Sequence, residues 1–143
     1  MTENKTKTRV LFLCVANSCR SQMAEGLARH YLGGKIEAAS AGIMKSFVHP
    51  LAIAVMKEIG IDISSQRSKN MVEFDGHSFD FVISVCEESD SLCPAWIGAG
   101  EKFHIGFPDP AKNKGTQEEA LNSFRSVRDD MRERLISFLK SKI

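Results

Sequence analysis

The chain has 143 residues, 43% of them hydrophobic and 26% charged, with a formal net charge of +1. That length suits one domain, residues 1–143, with a core large enough to fold without disulfides or metals. Near-neutral charge, no long basic run and no apolar stretch of membrane-spanning length argue against nucleic-acid or membrane partners.

The opening stretch, Met1 to Arg9, is polar and lacks the apolar centre of a signal peptide, so the cytoplasm is expected and residues 1–8 are expected to be flexible. Four cysteines in that compartment suit catalysis or metal binding better than a disulfide framework.

Val10 to Val15 is a continuous apolar run, the mark of a central parallel strand. Ser21 to Leu32 carries Met23, Ala24, Leu27, Ala28 and Tyr31 on one helical face and stops at Gly33-Gly34. Ile36 to Ser40 reads as a second strand, with Ala41-Gly42 turning away. Pro50 suits a first helical position, and Leu51, Ala52, Val55, Met56 and Ile59 form a stripe ending at Gly60. Phe79 to Val85 and Phe103 to Phe107 read as a third and a fourth strand. Leu121, Phe124, Val127, Met131, Leu135 and Phe138 mark a long C-terminal helix. Its Arg125, Arg128, Arg132 and Arg134, interleaved with Asp129, Asp130 and Glu133, read as a solvated, ion-paired face. Alternating strands and helices predict an α/β fold, a four-stranded parallel sheet flanked by helices on both faces. Ligands in such folds sit beyond the carboxyl ends of the strands, where Cys14, Cys86 and Asp109 all fall.

The strongest chemical signal is Cys14-Val15-Ala16-Asn17-Ser18-Cys19-Arg20-Ser21, set between the first strand and the first helix. A strand, tight loop and helix N-terminus aim several N–H groups at one point and add positive potential there. Arg20 contributes a fork of donors shaped for a tetrahedral oxyanion. The same field favours Cys14 as a thiolate nucleophile beneath the bound anion. A cysteine and an arginine with five residues between them are a weak pattern alone, and a free cysteine is usually a small buried core residue. The strand–loop–helix setting reverses that balance. Asn17 tolerates the unusual backbone angles such a loop needs. Ser21 stands where its hydroxyl caps the helix or donates to the thiolate. The Cys19 side chain is expected to point inward.

Asp109 lies between Pro108 and Pro110. Simple turn chemistry explains that placement. Beside an anion loop, a general acid held on a stiff turn explains it better. Cys86 ends the third strand, and Cys93 follows seven positions later. Two unrelated buried thiols or half of a metal site are the plainer alternatives, but no neighbouring ligands complete a zinc site. A relay of thiols is the third reading. Were residues 86–93 helical, the two Cα atoms would stand ~10 Å apart at about 1.5 Å per residue. A disulfide tolerates only ~4.4–6.8 Å, so this pair bonds only where the segment bends or unwinds. The polar stretch Glu87 to Ser91 makes such rearrangement inexpensive. His30, His49, His77 and His104 share no metal spacing and read as surface or helix-end residues, and Trp96 as a cover on the edge of the core.

Cys14 to Gly26, Ser40-Ala41-Gly42, Cys86 with Cys93-Pro94, and Pro108-Asp109-Pro110 together resemble the thioredoxin-coupled arsenate reductases. These share the three-layer fold of the low-molecular-weight protein tyrosine phosphatases. The likeness runs from about Arg9 to the C-terminal helix. The Cys86/Cys93 pair, and Gln22 where the phosphatases usually carry proline, point to the reductase branch. The resemblance implies that Cys14 attacks arsenate held by the loop amides (residues 15–21) and Arg20, while Asp109 protonates the departing oxygen. It further implies a Cys14–Cys86 disulfide as arsenite leaves, then a Cys86–Cys93 disulfide that thioredoxin reduces. The rival within the same fold is a tyrosine or aryl phosphatase needing only Cys14, Arg20 and Asp109. Here Pro110 is followed by Ala111 and Lys112 rather than by an aromatic residue for a phenyl ring. A non-enzymatic oxyanion or redox sensor, switching through Cys86 and Cys93, is a third reading. Two departures stand out: Ala16 replaces a customary glycine, and Lys69 replaces an aspartate of the potassium site that some members build from residues matching Asn17, Glu25 and Ser40. With Lys69 there, no cofactor and no metal are expected, and a monomer suffices.

Overall fold

A computed structural model describes residues 7–87, 95–96 and 98–143. Its elements in chain order are β1 (Thr8–Cys14), α1 (Arg20–Leu32), β2 (Ile36–Gly42), α2 (Pro50–Glu58), a 3-10 turn (Met71–Phe74), β3 (Phe81–Ser84), β4 (Glu101–His104), a second 3-10 turn (Pro110–Lys112) and α3 (Gln117–Lys142). The four strands form one parallel sheet in the order β2-β1-β3-β4. β1 is therefore central, which explains its uninterrupted apolar run. Val10, Phe12 and Cys14 face a core filled from α1, α2 and α3. Leu11 and Leu13 point the other way, into a smaller core with Phe79 and Trp96, against which Met71 and Phe74 of the first 3-10 turn pack.

The chain leaves β1 towards β2 on one side and returns past β1 to β3 on the other. The crevice between the carboxyl ends of β1 and β3 is thus the topological switch point where such sheets bind ligands. Leu13 pairs with Ser84, and the Val85 N–H donates to the Leu13 carbonyl at 2.9 Å, so the chain after Cys14 and the chain around Cys86 emerge side by side.

Element boundaries shift from the sequence reading in instructive ways. β1 begins at Thr8, opposite Ile36, so Thr8 belongs to the sheet rather than to a flexible tail. β2 runs on through Ala41 and Gly42, because Gly42 still pairs with Cys14. β4 ends at His104, short of the expected Phe107, although Ile105 and Phe107 still donate to the carbonyls of Ser84 and Val85 at 3.0 and 3.1 Å. α2 starts as expected at Pro50, with His49 as its cap accepting from the Leu51 N–H. α3 starts from a capping box: the Thr116 hydroxyl accepts from Glu119 N–H and the Glu119 carboxylate accepts from Thr116 N–H. The Thr-x-x-Glu spacing that encodes it is visible in the sequence.

One charged residue was misplaced by pattern alone. Arg128 does not lie on a solvated face; it is 7% exposed and donates to the Val55 carbonyl and Glu58, both at 2.8 Å. Arg125 joins it on the same carboxylate, fastening α3 to α2. Hydrogen bonds from Arg125, aided by Arg128, hold the Glu58 carboxyl down at about 2. In the unfolded chain it returns to 4.5, so its contribution to stability is complete above that pH and is lost as pH falls towards about 2. Glu58→Gln should flatten that part of the acid limb in urea unfolding run from about pH 6 to about pH 2. An acid limb identical to the wild type would overturn this assignment.

Candidate active site

The loop between β1 and α1 has a demanding geometry. Asn17 adopts φ +50°, the left-handed region that asparagine tolerates better than most residues. Three neighbours hold it there. Its Nδ2 donates to Ser21 Oγ at 2.8 Å; its Oδ1 accepts from Gln22 Nε2 and from the Lys69 backbone N–H, each at 2.8 Å. Of the two roles expected of Ser21, the capping one drops out. The helix already begins at Arg20 with Cys19 at its N-cap, so the buried Ser21 hydroxyl braces the loop instead of capping the helix.

The rest of the chain closes around the loop's back. Ile43 N–H donates to the Val15 carbonyl at 2.9 Å, Ser68 Oγ to the Ala16 carbonyl at 3.0 Å, and His49 N–H to the Ser18 carbonyl at 3.1 Å. With loop carbonyls engaged behind, the loop presents its other side to a cavity of about 320 Å³ beyond the carboxyl end of β1. Cys14, Val15, Ala16, Ser18, Cys19 and Arg20 line it, joined by Asp109, Ala111, Lys112 and Ser46. A helix N-terminus opens onto the same space, so the site has the charge and donors of an oxyanion cradle.

Two side chains give it chemistry. Arg20 is 3% exposed; its Nη1 donates to the Phe107 carbonyl at 3.1 Å and its Nη2 lies 3.8 Å from Asp109 Oδ2. Asp109 caps the Pro110–Lys112 turn, its Oδ1 accepting from Ala111 N–H at 3.0 Å. One carboxylate oxygen is thus fixed by the turn while the other faces the guanidinium across the cavity. The turn reading of Asp109 is realised through Oδ1, while Oδ2 stands towards Arg20 in the cavity.

The thiols divide clearly. Cys14 and Cys19 are free, both buried, both lining the cavity. Burial pushes the Cys19 thiol up to about 12, with Ser18 only partly offsetting it, so Cys19 stays protonated and inert. Cys86 is fully buried and disulfide-bonded. The Cys14–Cys86 pairing implied by the resemblance is therefore not the state described, since Cys14 is free. Cys93 lies outside the described residues, as does most of the polar segment whose unwinding the spacing argument requires.

Sequence reasoning missed Ser46, Ser68 and the structural part of Gly42. Ser46 lines the cavity, and its N–H donates to Ser68 Oγ at 2.8 Å. Phe47, the next residue in the chain, is 62% exposed. No short motif announces these positions, which reach the loop from beyond β2 and beyond α2. Gly42 was legible as a glycine in Ser-Ala-Gly but not as a steric requirement.

The low molecular weight phosphotyrosine protein phosphatase family matches residues 9–142, nearly the whole chain. The chain belongs to that family. Within it, the chain is 44% identical to an arsenate reductase of Halalkalibacterium halodurans, over 94% of this chain and 97% of the relative. A solved arsenate reductase in its phosphate-binding state superposes with a TM-score of 0.75 at 40% identity, covering 94% of this chain and 98% of the other. A thioredoxin-dependent arsenate reductase of Corynebacterium glutamicum gives 0.64 at 28% identity, over 94% of this chain and 63% of the other. The four-stranded parallel sheet and the family match agree with the fold anticipated from sequence.

Proposed function

We propose that this chain reduces arsenate to arsenite through three cysteines in turn. The observation that carries it is the juxtaposition at the switch point: a free Cys14 beneath Arg20 and Asp109, and a disulfide-bonded Cys86 at the end of the adjoining strand. A phosphatase of this fold needs the first constellation and has no use for the second.

The Cys14 thiolate attacks arsenic while loop N–H groups and Arg20 hold the equatorial oxygens. Asp109 delivers a proton to the departing oxygen, which leaves as water. The Cys86 thiolate then attacks Cys14 Sγ; the sulfur–arsenic bond breaks, its electron pair stays on arsenic, and arsenite leaves a Cys14–Cys86 disulfide. Cys93 attacks Cys86 and releases Cys14 as a thiolate. An external dithiol takes the oxidising equivalents from the Cys86–Cys93 disulfide. Thioredoxin is the candidate, by the resemblance and by the name of the Corynebacterium glutamicum relative. A free Cys14 beside a disulfide-bonded Cys86 suits the state just before that reduction. The cycle requires a reducing compartment, hence the cytoplasm, and a monomer carries every group it uses.

The test is arsenate-dependent NADPH oxidation with thioredoxin and thioredoxin reductase, wild type against Cys93→Ser. The wild type should turn over repeatedly, the variant about once, because its electrons stop at the Cys14–Cys86 disulfide. Equal turnover by both proteins would refute the relay. Brisk 4-nitrophenyl phosphate hydrolysis without arsenate reduction would favour the phosphatase reading, which the exposed Phe47 beside Ser46 would then serve.

A further inference from the structure

Behind the anion loop lies a buried ionic pocket that the proposed chemistry does not touch. Glu25 on α1, Ser40 on β2 and Lys69, before the first 3-10 turn, meet there, at 4%, 0% and 8% exposure. Ser40 Oγ donates to Glu25 Oε1 at 2.5 Å, and Arg29 pairs with the other carboxylate oxygen from the protein's rim. Lys69 Nζ lies 3.8 Å from Glu25 Oε1 and donates to the Arg67 carbonyl at 2.8 Å. That carbonyl also accepts from Gln22 Nε2 at 2.9 Å, and Gln22 in turn grips Asn17. The Lys69 main-chain N–H meets Asn17 directly. One residue therefore touches the strained point of the loop through its backbone and the loop's supports through its ammonium.

Carboxylate, carbonyl and amide oxygens are the donors that a hard monovalent cation seeks, and some relatives hold potassium with such a set. The residues here do not fit that ion. An ammonium already stands among the oxygens, supplying one positive charge and three N–H donors, and it would repel a second cation.

We propose that Lys69 Nζ is a built-in cation that braces the anion loop from behind, so that oxyanion binding by this chain is independent of alkali-metal ions. The proposal rests on the reading of the loop as an oxyanion site. Lys69 acts through Asn17, Gln22 and Glu25, and is a positioning residue. Burial pulls its ammonium below the ordinary lysine range, and the Glu25 carboxylate offsets part of that cost.

Calorimetric binding of inorganic phosphate, with Tm measured alongside, tests this for wild type, Lys69→Met and Lys69→Asp. Each is compared in potassium chloride and in tetramethylammonium chloride at equal ionic strength. The wild type should bind phosphate equally in both salts. Lys69→Met, which keeps the backbone bond to Asn17, should bind about tenfold more weakly in both. Lys69→Asp should lose binding in tetramethylammonium and recover it, with a higher Tm, in potassium. Potassium-dependent binding by the wild type would overturn the proposal and needs no variant to fold. So would a folded Lys69→Met that binds as tightly as wild type. Failure of the wild type to bind phosphate in either salt would instead sink the oxyanion-site reading, and this proposal with it.

Discussion

Cys14→Ser should lower kcat/KM for arsenate by about 10⁴–10⁶-fold, the usual cost of removing a nucleophile on which every later step depends. Cys14 is 3% exposed at the end of β1, and serine is nearly its equal in size, so the fold and its anion cradle should survive. Phosphate binding by the variant should therefore stay within about tenfold of wild type, which separates loss of chemistry from loss of the site. A serine alcohol under the same donors is a far poorer nucleophile than a thiolate, because it remains protonated. Cys19, a second free thiol lining the same cavity, cannot substitute, since burial keeps it protonated. Retention of more than a few per cent of activity in Cys14→Ser would show that Cys14 is not the attacking group.

Gly42→Ala should be the most damaging single methyl that can be added to the molecule near the site. A Cβ at Gly42 would stand 2.5 Å from the Val15 carbonyl oxygen, 2.9 Å from the Asn17 nitrogen and 3.0 Å from the Cys14 carbonyl oxygen. All three are backbone atoms of the anion loop, so no side chain can swing aside to relieve the clash. The expected cost is about 1–3 kcal/mol in urea unfolding, as for overpacking elsewhere. The larger effect should fall on the site. To clear the methyl, the loop must move away from β2, and with it go the bond from Ile43 N–H to the Val15 carbonyl and the pairing of Gly42 with Cys14. Phosphate binding should weaken by at least about tenfold, or 1.4 kcal/mol. Stability and phosphate affinity both equal to wild type would show that the loop has slack the close contacts do not suggest.

These two residues mark the boundary between what could and could not be read along the chain. Cys14 was legible because the cradle is local: a strand end, five intervening residues and a helix start create the convergence of N–H groups by themselves. Arg20 was legible for the same reason, and Asn17 because so few residues accept a left-handed backbone. Asp109 needed its neighbours as well as its own motif, since a Pro-Asp-Pro turn is explained equally by turn chemistry. Gly42, Ser46 and Ser68 act on the loop across the fold, and nothing in their local sequence states that contact; Lys69 was set beside Asn17 by the family resemblance alone. Arg128 failed for a similar reason. Helical periodicity places a residue on a face, but the Val55 carbonyl that receives its hydrogen bond lies 73 positions away.

The sequence by itself determined the alternation of strands and helices and the make-up of the loop between β1 and α1, because both depend on residues close together in the chain. Hydrophobic period and glycine or proline breaks act over ten residues; the cradle acts over seven. Only the tertiary structure decided how the loop is held, because its supports arrive from β2 and from the segment beyond α2, brought in by the packing of the sheet. It also decided that the chain at Cys14 and the chain around Cys86 leave the sheet side by side, through the parallel pairing of β1 with β3.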